Sequence, residues 1–185
     1  MYKDERLLVV GGAGRNVGKT EFVCRLIAKF ATNRDIYGLK VSTIFPDEAL
    51  FHGNHADDEP VHQLFEETRR ELAKDTSRML RAGAKKVYYL RSDDSGIKES
   101  FEYFRNQVPA NAIIICESNS LGQVVIPGLK IMVRSTNGQV KPRAIAQLKE
   151  ADIVVVSDGS SGFPELDSIQ LADNNTWQVN SPNGT

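Results

Sequence analysis

The sequence predicts an α/β fold in which a doubly wound, mostly parallel sheet lies between two layers of helices. Three observations predict it. Short runs rich in β-branched residues alternate with longer stretches of helical periodicity along the 185 residues. The runs are apolar at successive positions, as strands covered on both faces must be. A glycine-rich segment, "VVGGAGRNVGKTEF" from Val9 to Phe22, joins the first such run to the first helical pattern.

The elements run in chain order. "RLLVVGG" is the first strand, and a helix over 19–31 comes next, with Phe22, Val23, Leu26, Ile27 and Phe30 forming a stripe at steps of three and four. "YGLKVSTI" is the second strand. It runs into "FPDEALFHGNHADDEPVH", Phe45 to His62, a polar connection too long for a simple turn and of the kind that carries function. A helix is expected over about 64–82, with Leu72, Thr76, Met79 and Leu80 on one face and Gly83 placed to cap its end. "KKVYYLR" is a strand, 97–107 a helix, and "AIIICES" and "LKIMVRS" two further strands. A helix over 142–150 starts on Pro142 and packs through Ile145 and Leu148, and "DIVVVSD" is the last strand. The tail, 159–185, is polar, with Trp177 as its one large anchor. No linker divides the chain, which predicts a single domain over 1–185.

Composition narrows the partners. Lysine and arginine total 23 against 24 acids, a formal charge of -1. Such a balance lacks the basic excess of nucleic-acid or anionic-membrane binders, so neither partner is expected. Cys24 and Cys116 sit in apolar patterns with no partner at metal-ligand spacing, and are read as core thiols. No apolar run reaches the length of a membrane span, and "MYKDERLL" opens on charge, so a cytoplasmic protein is expected.

The glycine-rich segment contains "AGRNVGKT", Ala13 to Thr20, which fits the P-loop form G-x-x-x-x-G-K-[ST] with Ala in the first position. Gly14 and Gly18 let the backbone wrap so that the amides of Ala13, Gly14, Arg15, Asn16, Val17, Gly18, Lys19, Thr20 and Glu21 face a phosphate chain. The helix that begins at Lys19 adds its positive end. Lys19 is the catalytic cation at the β- and γ-phosphates, and Thr20 a Mg²⁺ ligand. The fold is therefore expected to be a P-loop nucleoside triphosphatase domain. A dinucleotide fingerprint fits less well, because the glycine spacing is one residue too long.

The metal needs an acid at a neighbouring strand end. Glu117, closing "AIIICES", is that candidate, as metal ligand and catalytic carboxylate; Asp47 in "IFPDE" is a second metal-side acid, with a plain loop acid as the alternative. Ser157 and Asp158 end the last strand and are placed either to contact a base or to form a turn.

Together "GRNVGKT", "YGLKVSTI", "KDTSRMLRAGAKKVYYL" and a strand ending in Glu resemble the molybdopterin-guanine dinucleotide biosynthesis protein B family, over roughly residues 6 to 120. The resemblance implies a small, GTP-binding, Mg²⁺-dependent, often dimeric accessory to guanylyl transfer onto molybdopterin. A homodimer and a nucleotidyltransferase partner are thus implied. It also implies phosphate-site roles for Gly14, Gly18, Lys19 and Thr20, and a metal-side role for Glu117. Lys74 and Asp75 match the family's block; Asp75 either caps a helix facing the nucleotide or pairs with Arg78 across a surface turn. The chain departs from the family at "IFPDE" and at the "SNS" after Glu117, and it has no Asn-Lys-x-Asp base-reading motif.

Three functions therefore compete. The first is a Mg²⁺-dependent purine nucleotide-binding protein, GTP favoured over ATP, with slow hydrolysis. The second is an ATP-dependent small-molecule kinase or ligase whose acceptor lies under the 45–62 loop. The third is a nucleotide-gated metal-delivery protein that uses His52, His55 and His62.

Overall fold

The computed structural model describes residues 2–44, 63–160 and 162–180. Seven strands form one sheet: β1 (Tyr2–Gly12), β2 (Ile36–Thr43), β3 (Gln63–Glu67), β4 (Lys86–Ser92), β5 (Ile113–Glu117), β6 (Val125–Ser135) and β7 (Ile153–Ser157). Their order across the sheet is β3-β4-β2-β5-β1-β6-β7. Every pairing is parallel except that of β3 with β4. The helices are α1 (Lys19–Phe30), α2 (Asp75–Arg81), α3 (Ile97–Gln107) and α4 (Pro142–Lys149).

Side chains alternate between the two faces of a strand, so one apolar strand feeds two cores. Leu8 and Val10 of β1 join Phe22, Val23, Leu26 and Ile27 of α1 and Met79 and Leu80 of α2 in one cluster. Leu7 and Val9 join Ile97, Phe101 and Phe104 of α3 on the other face. The central strands are consequently buried on both sides. Cys116 is buried in the second cluster, and Cys24 packs against the first, where burial pushes its thiol up to about 11 and keeps it protonated at neutral pH. Among the described residues no helix is long and apolar enough to cross a membrane.

Two expectations need correction. The helix predicted over about 64–82 is instead β3 followed by an irregular stretch and the short α2. The free edge of β4 wins over helical propensity here: β3 pairs with it from Gln63↔Arg91 to Glu67↔Val87. Arginine side chains then hold the connection, with Arg70 donating to the Leu80 carbonyl at 2.7 Å and Arg81 to the Leu72 carbonyl at 2.7 Å. Leu72 thus lies outside the helix, whose end is the expected one. Gly83 has φ 111°, and the Gly83→Leu80 and Ala84→Met79 bonds, at 3.2 and 3.3 Å, close a Schellman motif. In α4, Ile145 is 49% exposed. The packing there is made by Ala144 and Leu148, four residues apart, against Ala13 and Met132.

After β7 the chain folds back over the α1 side as a small hairpin, β8 (Ile169–Leu171) and β9 (Trp177–Val179). Trp177 is its anchor, donating from Nε1 to the Arg6 carbonyl at 2.9 Å and meeting Phe30 edge-on at 5.1 Å between ring centroids. Residues 45–62, and with them Asp47, His52, His55 and His62, lie outside the described residues.

Candidate functional site

β1 and β5 are neighbours, and the chain leaves them toward opposite faces, from β1 into α1 and from β5 toward the α3 side. A crevice outside the carboxyl ends of such strands is where open α/β sheets bind ligands. The segment from Ala13 to Gly18 lies there.

Its shape is dictated by backbone chemistry. Asn16 and Gly18 both take positive φ, 53° and 92°. At Gly18 a side chain is excluded twice, by that φ and because a Cβ would sit 2.9 Å from Ser157 Oγ. Val17 is buried in the α1-side core, while Arg15 and Asn16 are exposed at the tip and Gly14 is half-buried. Two bonds tie the root of the loop to its surroundings: Ala13 N donates to Val133 O at 2.9 Å, and Lys141 N to Ala13 O at 3.0 Å. Gly18 is the N-cap of α1 and no side chain caps this helix, so the amides of its first turn face the crevice without a side-chain acceptor. Glu21 turns aside, accepting from Arg25 at 3.0 Å and from Arg78 at 2.9 Å.

Lys19 and Thr20 open the helix. The Lys19 side chain folds back over the end of β1, where a Cβ on Gly12 would lie 2.9 Å from its Nζ. Burial pushes its pKa below the ordinary lysine value, against the raising pull of Glu117. Thr20 donates from Oγ1 to Glu117 Oε2 at 2.9 Å, which joins the start of α1 to the end of β5.

Glu117 is only 3% exposed, and its other oxygen accepts from Lys40 Nζ at 2.6 Å. The same ammonium donates to Asp75 Oδ2 at 2.7 Å. Burial acts to lower the pKa of Lys40, but the charge of Glu117 and the bonds to Asp75 and Glu117 outweigh it and hold it above the ordinary value. Asp75 is therefore neither a side-chain cap nor the partner of Arg78. It is the first residue of α2, with Lys74 at the N-cap, and it turns inward to Lys40, while Arg78 goes to Glu21.

Comparison of the chain with family models, with curated proteins and with solved structures found no match.

A cavity of about 490 Å³ opens over the ends of β5, β2 and β4, lined by Lys19, Lys40, Ser42, Tyr89, Arg91, Glu117 and the turn from Ser118 to Ser120. Three cations and one carboxylate line it, and of the three Lys40 is bonded to Glu117. Asn119 Oδ1 accepts from Gly12 N at 2.7 Å and so pins β1 beside the turn. Ser118 Oγ accepts from Leu121 N at 3.0 Å and from Ser120 N at 3.2 Å, which gives the "SNS" segment a capping role. Asp158 Oδ1 accepts from Ser160 N at 2.9 Å, a turn bond, and Ser157 lies behind Gly18.

Sequence reasoning passed over Lys40, Arg91 and Asn119. Lys40 did carry a signal, as the one cation inside the apolar run "YGLKVSTI". The other two became visible only when β4 and β5 were placed beside β2 and β1.

Proposed function

We propose that this chain binds a purine nucleoside triphosphate with Mg²⁺, holding the phosphates in a P-loop from Ala13 to Thr20. The observation that carries the reading is the 2.9 Å contact between Thr20 Oγ1 and Glu117 Oε2, beneath a loop of positive-φ residues and an uncapped helix start. Hydroxyl and carboxylate from adjacent elements at that place are the two protein groups that a phosphate-bound metal requires.

The donor set fits Mg²⁺ in particular. Among the described residues no group of three or more His, Cys, Asp or Glu side chains could hold a metal alone. Mg²⁺ asks for less, since one or two carboxylates together with phosphate oxygens and water suffice. Thr20 and Glu117 would hold it, and it would supply charge neutralisation at the phosphates. Lys19 contributes a cation whose pKa burial lowers against the pull of Glu117, and a phosphate beside it would favour its charged form. Glu117 is positioned to orient water, and Lys40 fixes its rotamer from the far side. Slow hydrolysis is the activity such a site supports.

The preference for guanine, and a role as accessory to guanylyl transfer, rest on the sequence resemblance. A kinase or ligase reading is favoured by one feature, the continuation of the cavity past Lys19 along β2 and β4, where an acceptor would meet the last phosphate.

The test is equilibrium binding of GTP and ATP, with and without Mg²⁺, to the wild type and to Lys19→Ala. Loss of a charge-assisted contact of about 1.5–3 kcal/mol should weaken triphosphate binding roughly 10- to 150-fold, with the fold intact. Unchanged affinity in a folded variant would overturn the P-loop reading. A clear preference for ATP would move it to the kinase or ligase.

A further inference from the structure

We propose that the cavity holds a second site, for a small molecule bearing a phosphate or carboxylate group, with Arg91 as its anchor. The inference uses the nucleotide reading only to call this ligand the second one.

Lys40 pairs with Tyr89 across β2 and β4, and Ser42 with Arg91. Residues in register on neighbouring strands share a face, as do residues two apart on one strand, so Lys40, Ser42, Tyr89 and Arg91 form one patch. All four line the cavity of about 490 Å³. A carboxylate or phosphate placed on this patch would meet a guanidinium, a hydroxyl and a phenol from one sheet surface, with the Lys40 ammonium beside them.

Arg91 is the unusual member. It is half-buried, and among the described residues its side chain makes no hydrogen bond or ion pair. The neighbouring cations differ: Lys40 is shared between Glu117 and Asp75, and Lys86 at the start of β4 binds Glu66 at 3.0 Å. A half-buried guanidinium with no acceptor among the described residues is a planar fork set to receive an oxyanion through two bonds.

Distance separates this anchor from the phosphate loop. Arg91 is on β4, three strands from β1, and strands lie about 4.8 Å apart, so the two places are about 14 Å apart along the sheet. Lys40 and Tyr89 also line the adjoining cavity of about 710 Å³, whose wall includes Phe65 and Lys74. The body of a ligand anchored on Arg91 has room there, within the usual size of small-molecule sites.

The experiment uses the full chain with Mg²⁺ and a saturating β,γ-imido analogue of GTP, so that the loop is filled. Inorganic phosphate is then titrated in one arm and malonate in another, each monitored by calorimetry. One of these anions should bind; tighter phosphate assigns a phosphorylated ligand, tighter malonate a carboxylate. Arg91→Gln should weaken that anion at least tenfold, and Arg91→Lys by less, with affinity for the analogue within twofold of wild type in both.

If neither anion binds beside the analogue, or if Arg91→Gln binds them as wild type does, the second site is overturned. Should neither this analogue nor its ATP counterpart bind wild type, the titrations are run without nucleotide. Arg91-dependent anion binding would then uphold this site while removing the nucleotide reading, and Arg91-independent binding would remove both.

Discussion

Two buried charge clusters stand at opposite ends of the sheet, and they are built on different principles. At the amino end of β1, Asp4 and Arg105, 4% and 12% exposed, meet at 2.9 Å. Asp4 also accepts from Arg6 N at 3.1 Å, while the Arg105 guanidinium donates to the Pro109 and Ala110 carbonyls at 2.8 and 2.7 Å. One acid meets one base, and the remaining donors are spent on backbone. Though it borders a cavity of about 410 Å³, the pair is matched within itself, a clip that fastens the end of α3 to β1. At the carboxyl end Glu117, Lys40 and Lys19 open on a cavity that Arg91 also lines, with Asp75 bonded to Lys40 beside it, and burial lowers the pKa of Lys19 there. A charge cluster complete in itself is structural. One in which, among the described residues, the Lys19 and Arg91 side chains make no hydrogen bond has the form that the anion sites proposed above require.

The largest effect expected from this contrast is on stability. Arg105→Ala leaves Asp4 buried without its partner, and breaking such a pair costs about 3–5 kcal/mol. The urea midpoint should fall accordingly, while Mg²⁺-triphosphate affinity stays within twofold of wild type. If the midpoint is unchanged, the clip is not structural and the contrast fails at its closed end.

Glu117→Gln probes the open end, and a smaller stability loss of about 1–2 kcal/mol is expected, because the amide still accepts a bond and Asp75 still takes Lys40. Function should suffer more than fold. Triphosphate should still bind through the loop amides and Lys19, with its Mg²⁺ dependence and any hydrolysis lost. Mg²⁺ titrations at fixed nucleotide compare the two proteins, and superimposable curves would remove Glu117 from the metal side.

The fold and the loop were legible in the sequence because each rests on local chemistry. Strands apolar at successive positions, the α1 stripe and the Gly83 cap need no knowledge of distant residues. The glycine pattern before Lys19 and Thr20 likewise records backbone demands within one turn. What escaped was set by neighbours far along the chain. β3 is a strand because β4 offers an edge, against a segment with helical composition. Asp75 meets Lys40 across 35 positions and Lys40 meets Glu117 across 77, so no spacing rule within one element reveals the cluster. Arg91 reads as an ordinary strand-end arginine until its register with Ser42 is known.

The smallest effect expected concerns pH and Asp75. Burial acts to raise its pKa, but the hydrogen bond and charge of Lys40, with help from Thr20 and Arg78, outweigh it, so the folded value lies below the ordinary one. A depressed carboxyl pKa means that the unfolded chain takes up the proton first. The stabilisation is fully present above the unfolded value of about 3.9 and fades as pH falls through the folded value. Lys40, with its raised pKa, acts in the opposite sense: its share is present below the ordinary lysine value of about 10.4 and is lost as pH rises through the folded value. Asp75 is 39% exposed, so solvent screens its part and the effect is modest. Asp75→Asn should therefore lie below wild type in urea midpoint by a constant margin between about pH 5 and 9, and the margin should shrink below about pH 4. Lys40 keeps Glu117 in the variant, so its alkaline limb should persist. Midpoints measured from pH 2.5 to 10 decide the matter: a margin that is the same at pH 2.5 as at pH 7 would mean that the contact between Lys40 and Asp75 carries no charge-dependent energy, and that the open cluster reduces to Lys40, Lys19 and Glu117.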